Sequence, residues 1–243
     1  MILYFSGTGN SRHLAEKLSS LTGDKAISLA AKLRETPVRA VSAAKPLVFV
    51  CPVHYGRIPR AVEDCIRKIP FQGSREAYFV VTCSDSPQKA EKYVLKLCAD
   101  KNFRFRGFAS VRMPENNIID GETCSKEEAD ALIAKADETA ETLARQIVQG
   151  SMLRYEPPQK GSGSLFNRLL SAKIKPQLFS ATDRCTGCAE CVRRCPTQNI
   201  ELSDGKPHWG TDCTHCLACL NGCPNAAVEY GGKTQGKQRY FLP

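Results

Sequence analysis

The stretch YFSGTGNSRHLAEKL at residues 4–18 combines the end of an apolar strand, a turn rich in hydroxyl groups and glycine, and the start of an amphipathic helix. The turn itself is SGTGNS at residues 6–11. It places O–H and N–H donors at a helix N-terminus, where the helix dipole favours a negative charge. Four interpretations are open: a site for a dinucleotide, for a nucleoside triphosphate or for a single phosphate group, or an ordinary turn.

Two of these interpretations do not match the sequence. A dinucleotide turn reads G-x-G-x-x-G, whereas this turn has glycine only at positions 7 and 9, and no acidic residue ends the second strand to bind a ribose. A triphosphate loop needs Gly-Lys-Ser or Gly-Lys-Thr, which is absent here. The turn therefore favours a terminal phosphomonoester, bound without a cation. An ordinary turn with a Ser or Asn helix cap remains the alternative.

Strand and helix patterns alternate along the first half of the chain. The long helix pattern from Lys126 to Val148 starts after Ser125, a candidate N-cap with Glu128 three residues later, and ends at Gly150. Alternation of this kind predicts an α/β fold with a doubly wound, five-stranded parallel sheet. The five predicted strands are ILYFS (2–6), KAISL (25–29), PLVFVCP (46–52), AYFVVTC (77–83) and FRGFASVRM (105–113).

Composition divides the 243 residues into two units, because eight of the 13 cysteines lie between residues 185 and 223. We predict a first domain at 1–150, a linker at 151–179 with a short basic helix in LFNRLLSAKIKP (165–176), and a cysteine-rich domain with a basic tail at 180–243. The net charge of +9 is dispersed and aromatic residues make up only 7%, which argues against nucleic-acid binding.

Two further patterns concern location. No apolar stretch approaches the roughly 20 residues of a membrane span, and the N-terminus lacks the features of a signal peptide. We therefore expect a cytoplasmic protein, in which so many cysteines indicate metal binding rather than disulfides. The cysteines Cys51, Cys65, Cys98 and Cys124, which lie outside residues 185–223, are interpreted as small buried side chains or incidental thiols.

The cysteine region is a duplication. CTGCAECVRRCPTQNIE starts at Cys185 and CTHCLACLNGCPNAAVE starts at Cys213, and each contains C-x2-C-x2-C-x3-C-P. Zinc sites usually place two ligands, a long spacer and two more ligands, so this spacing favours iron–sulfur clusters. His215 is interpreted as an exposed loop residue, and Trp209 as the core of a small hairpin.

Residues 180–231 resemble the bacterial ferredoxins that carry two 4Fe–4S clusters, with all eight ligand positions matched. The resemblance implies a small α+β domain and a one-electron carrier of low potential. In this motif the fourth cysteine of each run ligates the other cluster. The implied ligand sets are Cys185, Cys188, Cys191 and Cys223 for one cluster, and Cys213, Cys216, Cys219 and Cys195 for the second.

The stretch YFSGTGNS resembles the phosphate loop of the flavodoxins, whose sheet order is 2-1-3-4-5. The resemblance implies that FMN phosphate is bound by Ser6, Thr8, Gly9, Asn10 and Ser11. The loop after the fourth strand, TCSDSPQKA, would then meet the polar edge of the flavin through Thr82, Cys83, Ser84 and Asp85.

The loop after the third strand also fits a flavin site. CPVHYGRIPRAVEDCI faces the phosphate turn across the switch point of the sheet, and its candidate flavin contacts are Pro52, Val53, His54, Tyr55 and Gly56. Tyr55 would stack on the flavin, and the peptide at Gly56 would reorient cheaply so that its carbonyl accepts from a reduced flavin N5–H. The alternatives are a surface aromatic for Tyr55 and an exposed loop residue for His54.

The whole chain resembles the flavodoxin–ferredoxin fusion proteins of anaerobic bacteria, which implies FMN and two 4Fe–4S clusters as cofactors. Our first hypothesis is an electron-transfer protein that couples one-electron and two-electron partners. The second is a flavin-dependent reductase of a small substrate, and the third a redox sensor that docks a partner through its basic linker and tail. Whether it is an enzyme is left open, since no carboxylate pair or nucleophile–base set was found.

Two further predictions concern the surface of the protein. The basic charge predicts an acidic partner, such as a ferredoxin or an oxidoreductase, whose binding weakens with salt. The loop MPENNIIDGETC (113–124) is long for its position, and it could be a lid, a docking face for the ferredoxin domain, or solvated.

Overall fold

The computed structural model describes residues 1–155 and 175–243. The predicted basic helix at 165–176 therefore lies largely outside the described residues. In the described residues, no helix is long and apolar enough to cross a membrane.

A five-stranded parallel sheet forms the centre of the first unit. Its strands lie in the order β2-β1-β4-β6-β7, which confirms the predicted order 2-1-3-4-5 when only the strands of this sheet are counted. The bounds are β1 Ile2–Tyr4, β2 Ala26–Ser28, β4 Leu47–Pro52, β6 Glu76–Cys83 and β7 Arg104–Arg112. Two strands of three residues, β3 Val41–Ala43 and β5 Phe71–Gly73, form a separate parallel pair that the sequence did not predict. They are too short for an alternating pattern to emerge.

Helices cover both faces of the sheet. Successive residues of a strand point to opposite faces, so Val48 packs against α1 and α5 while Phe49 packs against α3 and α4. Both faces are buried, which explains the nearly continuous apolar runs of the strands. The helices are α1 Asn10–Thr22, α2 Leu29–Leu33, α3 Arg60–Lys68, α4 Ala90–Lys101 and α5 Lys126–Val148.

Two sequence details of these helices can be compared with the structure. The predicted start of α5 is confirmed, because Ser125 accepts from the Glu128 backbone N–H and the Glu128 side chain accepts from the Ser125 N–H. Leu14 and Leu18 of α1 are fully buried, whereas Leu21 is 42% exposed in the last turn. The apolar stripe of α1 therefore ends one turn earlier than its pattern indicates.

The second unit is small and contains two antiparallel strand pairs and two short helices. Trp209 lies in one of these pairs, as predicted, and its ring stacks on Phe179 at a centroid distance of 5.6 Å. The strands are β8 Phe179–Ala181, β9 Ile200–Ser203, β10 Lys206–Trp209 and β11 Val228–Tyr230, and the helices are α6 Glu190–Arg194 and α7 Ala218–Asn221.

The two units share a hydrophobic core. Ile118 and Ile119, from the loop after β7, are buried among the apolar side chains of the second unit. Asn221 donates to the Asn116 carbonyl at 3.0 Å, and Lys237 donates to the carbonyls of Ile118 and Gly121 at 3.0 and 2.9 Å. Of the three interpretations of the 113–124 loop, the structure therefore supports the docking face.

Candidate functional site

A cavity of about 270 Å³ lies where four loops meet at the carboxyl ends of β1, β4, β6 and β7. In an open α/β sheet this edge is where ligands bind. The structure brings all the predicted cofactor contacts except Gly9 to this cavity. The lining residues among them are Ser6, Thr8, Asn10, Ser11, Pro52, Val53, His54, Tyr55, Gly56, Thr82, Cys83, Ser84 and Asp85.

The start of α1 is suited to an anion. Its N-cap is Gly9, and within the described part of the chain no side chain caps the helix and no acidic residue occupies its first turn. The first N–H groups of a helix have no partner inside the helix. The alternative of a turn capped by Ser or Asn is therefore not what the structure has, because Ser6 instead accepts from the Gly9 N–H at 3.0 Å.

Hydroxyl groups from α1, from the end of β6 and from the loop between β1 and α1 converge beside this helix start. The Ser11 and Thr82 hydroxyl oxygens are 2.7 Å apart, and both side chains are buried. The Thr8 hydroxyl accepts from the Asn116 side chain. Among the described residues that line the cavity there is no Lys or Arg, so its polar groups are N–H, O–H, carbonyl, amide, imidazole and carboxylate groups.

Gly9 differs from its prediction. It has a φ of 104° and lies against the C-terminal tail, where a Cβ on Gly9 would be 2.0 Å from the Leu242 carbonyl oxygen. The Leu242 N–H donates to the Thr8 carbonyl at 2.9 Å, and Arg12 donates to the Leu242 carbonyl at 2.8 Å. The tail thus supports the phosphate loop from outside the cavity, a contact that the sequence did not predict.

Tyr55 and Gly56 form a tight turn. His54 and Arg57 exchange two backbone hydrogen bonds of 2.8 and 3.2 Å, and φ is positive at both Tyr55 (51°) and Gly56 (77°). These features define a two-residue type I′ turn. If the peptide between them turned over while Tyr55 kept its φ, Tyr55 would enter a region that only glycine occupies readily. Reorientation of the Tyr55–Gly56 peptide therefore has a cost at Tyr55 that the presence of Gly56 alone does not reveal.

The two histidines near this turn also differ from their predictions as exposed residues, since both are half-buried and line the cavity. Burial lowers the pKa of His54 to about 4, with the neighbouring His215 as the second cause. Burial likewise lowers the pKa of His215. Both imidazoles are therefore neutral at pH 7. Burial, followed by the charge of Asp120, raises the pKa of Tyr55 above its ordinary value.

The second unit supplies one wall of the cavity, through His215, Cys216 and Leu217. The Tyr55 hydroxyl lies 3.4 Å from His215 Nδ1, and the two rings are nearly parallel at 14°. On the backbone side, a Cβ on Gly7 would be 2.2 Å from the Cys216 carbonyl oxygen. Reasoning from the sequence missed all of these contacts.

The eight clustered cysteines line two other cavities, with four thiols in each. Within residues 1–155 and 175–243, no three His, Cys, Asp or Glu side chains are arranged to hold a single metal ion. One cavity has Cys195, Cys213, Cys216 and Cys219, and the other has Cys185, Cys188, Cys191 and Cys223. Each cavity thus combines three cysteines of one repeat with the fourth of the other.

Backbone N–H groups point at several of these sulfurs. Asn199 N–H donates to Cys195 Sγ at 3.2 Å, and Ala227 N–H donates to Cys223 Sγ at 3.2 Å. His215 N–H donates to Cys213 Sγ at 3.3 Å. Hydrogen bonds to sulfur stabilise thiolates and tune the potential of a cluster. The donor set therefore fits thiolate-ligated clusters.

The tail and the neighbouring loops use their cations within the chain. Arg34 of the first unit donates to the carbonyls of Arg193 and Cys195, at 2.7 Å each. Arg239 pairs with the buried Glu229 at 3.0 Å. Arg34 thus joins the two units, whereas Arg239 of the basic tail is engaged within the second unit.

Comparison with known domains agrees with this architecture. The family model of the flavodoxin domain matches residues 1–118, and that of the 4Fe-4S dicluster domain matches residues 184–228. No curated protein matches the chain.

Several solved structures are similar to the first unit. General stress protein 14 from Treponema denticola, solved in complex with FMN, is 10% identical, and the match covers 60% of this chain and 98% of that one with a TM-score of 0.41. A putative flavoprotein from Bacteroides uniformis is 15% identical, with 55% and 96% covered and a TM-score of 0.37.

Rubredoxin oxygen:oxidoreductase from Desulfovibrio gigas is 16% identical, with 61% of this chain but only 36% of that one covered and a TM-score of 0.33. The flavodiiron core of Flv1 from Synechocystis is 15% identical. The match covers 62% of this chain and 36% of that one, with a TM-score of 0.34. The present chain thus spans about a third of these two proteins. From the two matching domain models and the observed sheet order, the chain carries a flavodoxin domain at its N-terminus and a 4Fe-4S dicluster domain at its C-terminus.

Proposed function

We propose that this chain is an electron-transfer protein that binds FMN in the cavity of the flavodoxin domain and one 4Fe–4S cluster in each cysteine-lined cavity. The observation that carries the proposal is that Cys216 lines both the flavin cavity and the cavity of Cys195, Cys213 and Cys219. When bound, a flavin supplies one-electron and two-electron chemistry, and each cluster supplies one-electron chemistry. The protein would therefore couple one-electron and two-electron partners.

The residues of the flavin cavity have separate tasks in this proposal. The N–H groups at the start of α1, with the hydroxyls of Ser6, Thr8 and Ser11, bind the phosphate. Tyr55 forms a wall of the site and is held there by its type I′ turn. The loop from Thr82 to Asp85 meets the polar edge of the ring.

The two cysteine cavities are not equivalent toward the flavin cavity. The cavity of Cys185, Cys188, Cys191 and Cys223 shares no lining residue with the flavin cavity, and Cys188 is exposed. We assign this cavity to the cluster that meets an external partner and the Cys216 cavity to the cluster beside the flavin. Because the two domains pack on one another, the chain holds the flavin cavity and the Cys216 cavity at a short, fixed distance.

The partner is proposed to be acidic. The chain has a formal net charge of +9, and a positive protein attracts a negative partner over a distance of about 10 Å at 0.1 M salt. A ferredoxin or an acidic oxidoreductase has the required charge.

Anaerobic purification followed by iron, sulfide and flavin analysis tests the proposal. About eight iron atoms and one FMN per chain are expected from two 4Fe–4S clusters and one flavin. A stepwise reductive titration, followed by visible absorbance and EPR, should show electrons shared between flavin and clusters. Eight iron atoms without flavin would contradict the proposal, and the first domain would then be a sensor or docking domain.

A second candidate function is a flavin-dependent reductase, and an open groove favours it. The groove has a volume of about 840 Å³ and reaches His54, Tyr55 and His215, which also line the flavin cavity. The exposed side chains of Arg60 and Lys68 lie along it. A small oxidant could approach the flavin site by this route.

Steady-state turnover distinguishes the two candidates. A chemical reductant supplies the electrons in this assay. A reductase should reduce small quinones at a rate that saturates with quinone concentration, and Ala61→Trp, which places a bulky side chain in the groove, should abolish turnover. An electron-transfer protein should show no saturable site for the quinone and no effect of this substitution. Leu95→Trp, at an exposed position of α4, is a matched control.

A further inference from the structure

The two cysteine repeats differ at two loop positions. The first reads CTGCA at residues 185–189, and the second reads CTHCL at residues 213–217. The backbone is left-handed at both positions of both repeats, with φ of 70° at Gly187, 60° at Ala189, 54° at His215 and 60° at Leu217. Glycine adopts this conformation freely, and other residues do so at a cost. The second repeat therefore has a strained histidine where the first has a glycine.

The larger side chains of the second repeat face the flavin cavity. His215 and Leu217 line that cavity, whereas Gly187 and Ala189 line only the cavity of the first repeat. The centroid of the His215 ring lies 6.4 Å from that of Tyr55 and 5.4 Å from that of Tyr230. His215 thus connects the aromatic core of the second unit to Tyr55.

Residues 213–217 are also fixed by the cysteines they contain. Cys213 and Cys216 line the second cysteine cavity, and the Cys216 carbonyl packs directly on Gly7 of the phosphate loop. Ligation of these two thiols would hold the loop in place from one side, and the flavin would hold it from the other. Loss of either group leaves the segment with fewer restraints.

We propose that the flavin site is a composite of both domains, and that FMN binding and assembly of the second cluster are coupled through residues 213–217. This rests on the proposed function, because it takes both cofactors as given. Coupling of binding is reciprocal, so each group should strengthen the binding of the other by the same factor. His215 is a positioning residue in this arrangement, since it acts on the flavin site through Tyr55.

FMN affinity is the direct measurement, by anaerobic calorimetric titration of FMN into flavin-free, iron-loaded protein. Cys219→Ala removes a ligand of the second cavity that does not line the flavin cavity, and Cys188→Ala is the matched change in the first cavity. We expect Cys219→Ala to weaken FMN binding five- to 150-fold, the range typical of coupled sites. Cys188→Ala should change FMN affinity by less than about twofold, which is below that range. Each variant should retain about four iron atoms.

His215→Gly tests the same loop with every cysteine in place. It restores the residue that the first repeat has in this backbone conformation, so the fold and the content of about eight iron atoms should persist. FMN binding should weaken about tenfold, within the range of coupling energies. His208→Ala, an exposed histidine of β10, is the control and should leave FMN affinity unchanged.

Hydrogen exchange gives the reciprocal readout. Adding FMN should slow exchange at residues 213–217 and leave residues 185–189 unaffected. Equal FMN affinity in wild type, Cys219→Ala and His215→Gly would overturn the composite site and leave the proposed function standing. Equal losses in Cys219→Ala and Cys188→Ala would overturn coupling through this loop. A wild-type protein that binds no FMN would overturn the proposed function itself.

Discussion

Gly7 and Cys216 are in backbone contact, although 208 residues of sequence separate them: a Cβ on Gly7 would lie 2.2 Å from the Cys216 carbonyl oxygen. Gly7 belongs to the phosphate loop and Cys216 to the second cysteine repeat. Because a side chain as small as a methyl group cannot fit there, this contact fixes how closely the two domains approach.

Substitution Gly7→Ala should therefore push the domains apart. We expect FMN affinity to fall about tenfold, which corresponds to about 1.4 kcal/mol, while the iron content stays unchanged. Anaerobic titration and iron analysis measure the two quantities. Gly121→Ala is the control, since the nearest atom to its added Cβ is 3.5 Å away. An unchanged FMN affinity in Gly7→Ala would contradict this close approach.

Ser11→Ala should weaken binding of the phosphate specifically. Its hydroxyl is buried beside Thr82 at the start of α1, and its loss removes one donor to a charged ligand. We expect FMN affinity to fall roughly tenfold, or about 1.4 kcal/mol, and riboflavin affinity to stay the same because riboflavin lacks the phosphate. Ser20→Ala, exposed on the same helix, serves as the control. Equal losses for both ligands would argue against a phosphate role.

Glu229→Gln should destabilise the ferredoxin domain. Glu229 is only 5% exposed and accepts from Arg239, Arg184 and Thr234. Removal of one partner from a buried ion pair costs about 3 kcal/mol, because the remaining charge is left unpaired. The expected result is faster loss of iron to a chelator and a lower melting temperature. The exposed Glu201 offers a matched control, Glu201→Gln, which should change neither quantity.

Lys237→Met should loosen the loop at residues 113–124, because it removes the ammonium group while keeping a side chain of similar length. The Lys237 ammonium donates to two carbonyls of this loop, and hydrogen bonds of charged groups contribute about 1.5–3 kcal/mol each. We expect faster protease cleavage within residues 114–121. Lys233→Met removes an exposed cation 3.9 Å from Asp120 and should have little effect. Similar cleavage rates in both variants would show that Lys237 does not hold the loop.

Association with an acidic redox partner should weaken as salt increases. With two clusters and one FMN bound, each about −2, the formal charge of +9 becomes about +3; this positive charge accelerates association at low ionic strength, and screening removes the effect. Stopped-flow reduction by an acidic ferredoxin should therefore slow as salt rises from 0.02 to about 0.5 M. A rate that does not depend on salt would remove the acidic partner from consideration.

Local sequence patterns predicted the parallel sheet because apolar strands such as Leu47–Pro52 alternate with amphipathic helices, and the resemblance to flavodoxins predicted its order. The predicted flavin contacts, apart from Gly9, line one cavity because the segments that carry them lie at the ends of neighbouring parallel strands. Local sequence patterns could not predict how the domains dock. The contact between Gly7 and Cys216 has no local signal, because neither residue differs from what its own motif requires.

A weaker signal for the missed wall of the cavity was present in the repeat. His215 replaces the glycine of the first repeat in a loop where glycine is favoured, and that difference indicates a task beyond cluster binding. Gly9 was misplaced for another reason: its role depends on the tail residue Leu242, which lies 233 residues away in sequence.

The burial of Ile118 and Ile119 in the ferredoxin domain makes the two halves dependent on each other for solubility. A fragment that ends at residue 155 would expose both isoleucines, at a cost of about 25 cal/mol for each Å² of apolar surface left in water. Such a surface promotes self-association. Separate domains would therefore need polar residues in place of Ile118 and Ile119, so the covalent link between the two units also keeps a shared apolar surface covered.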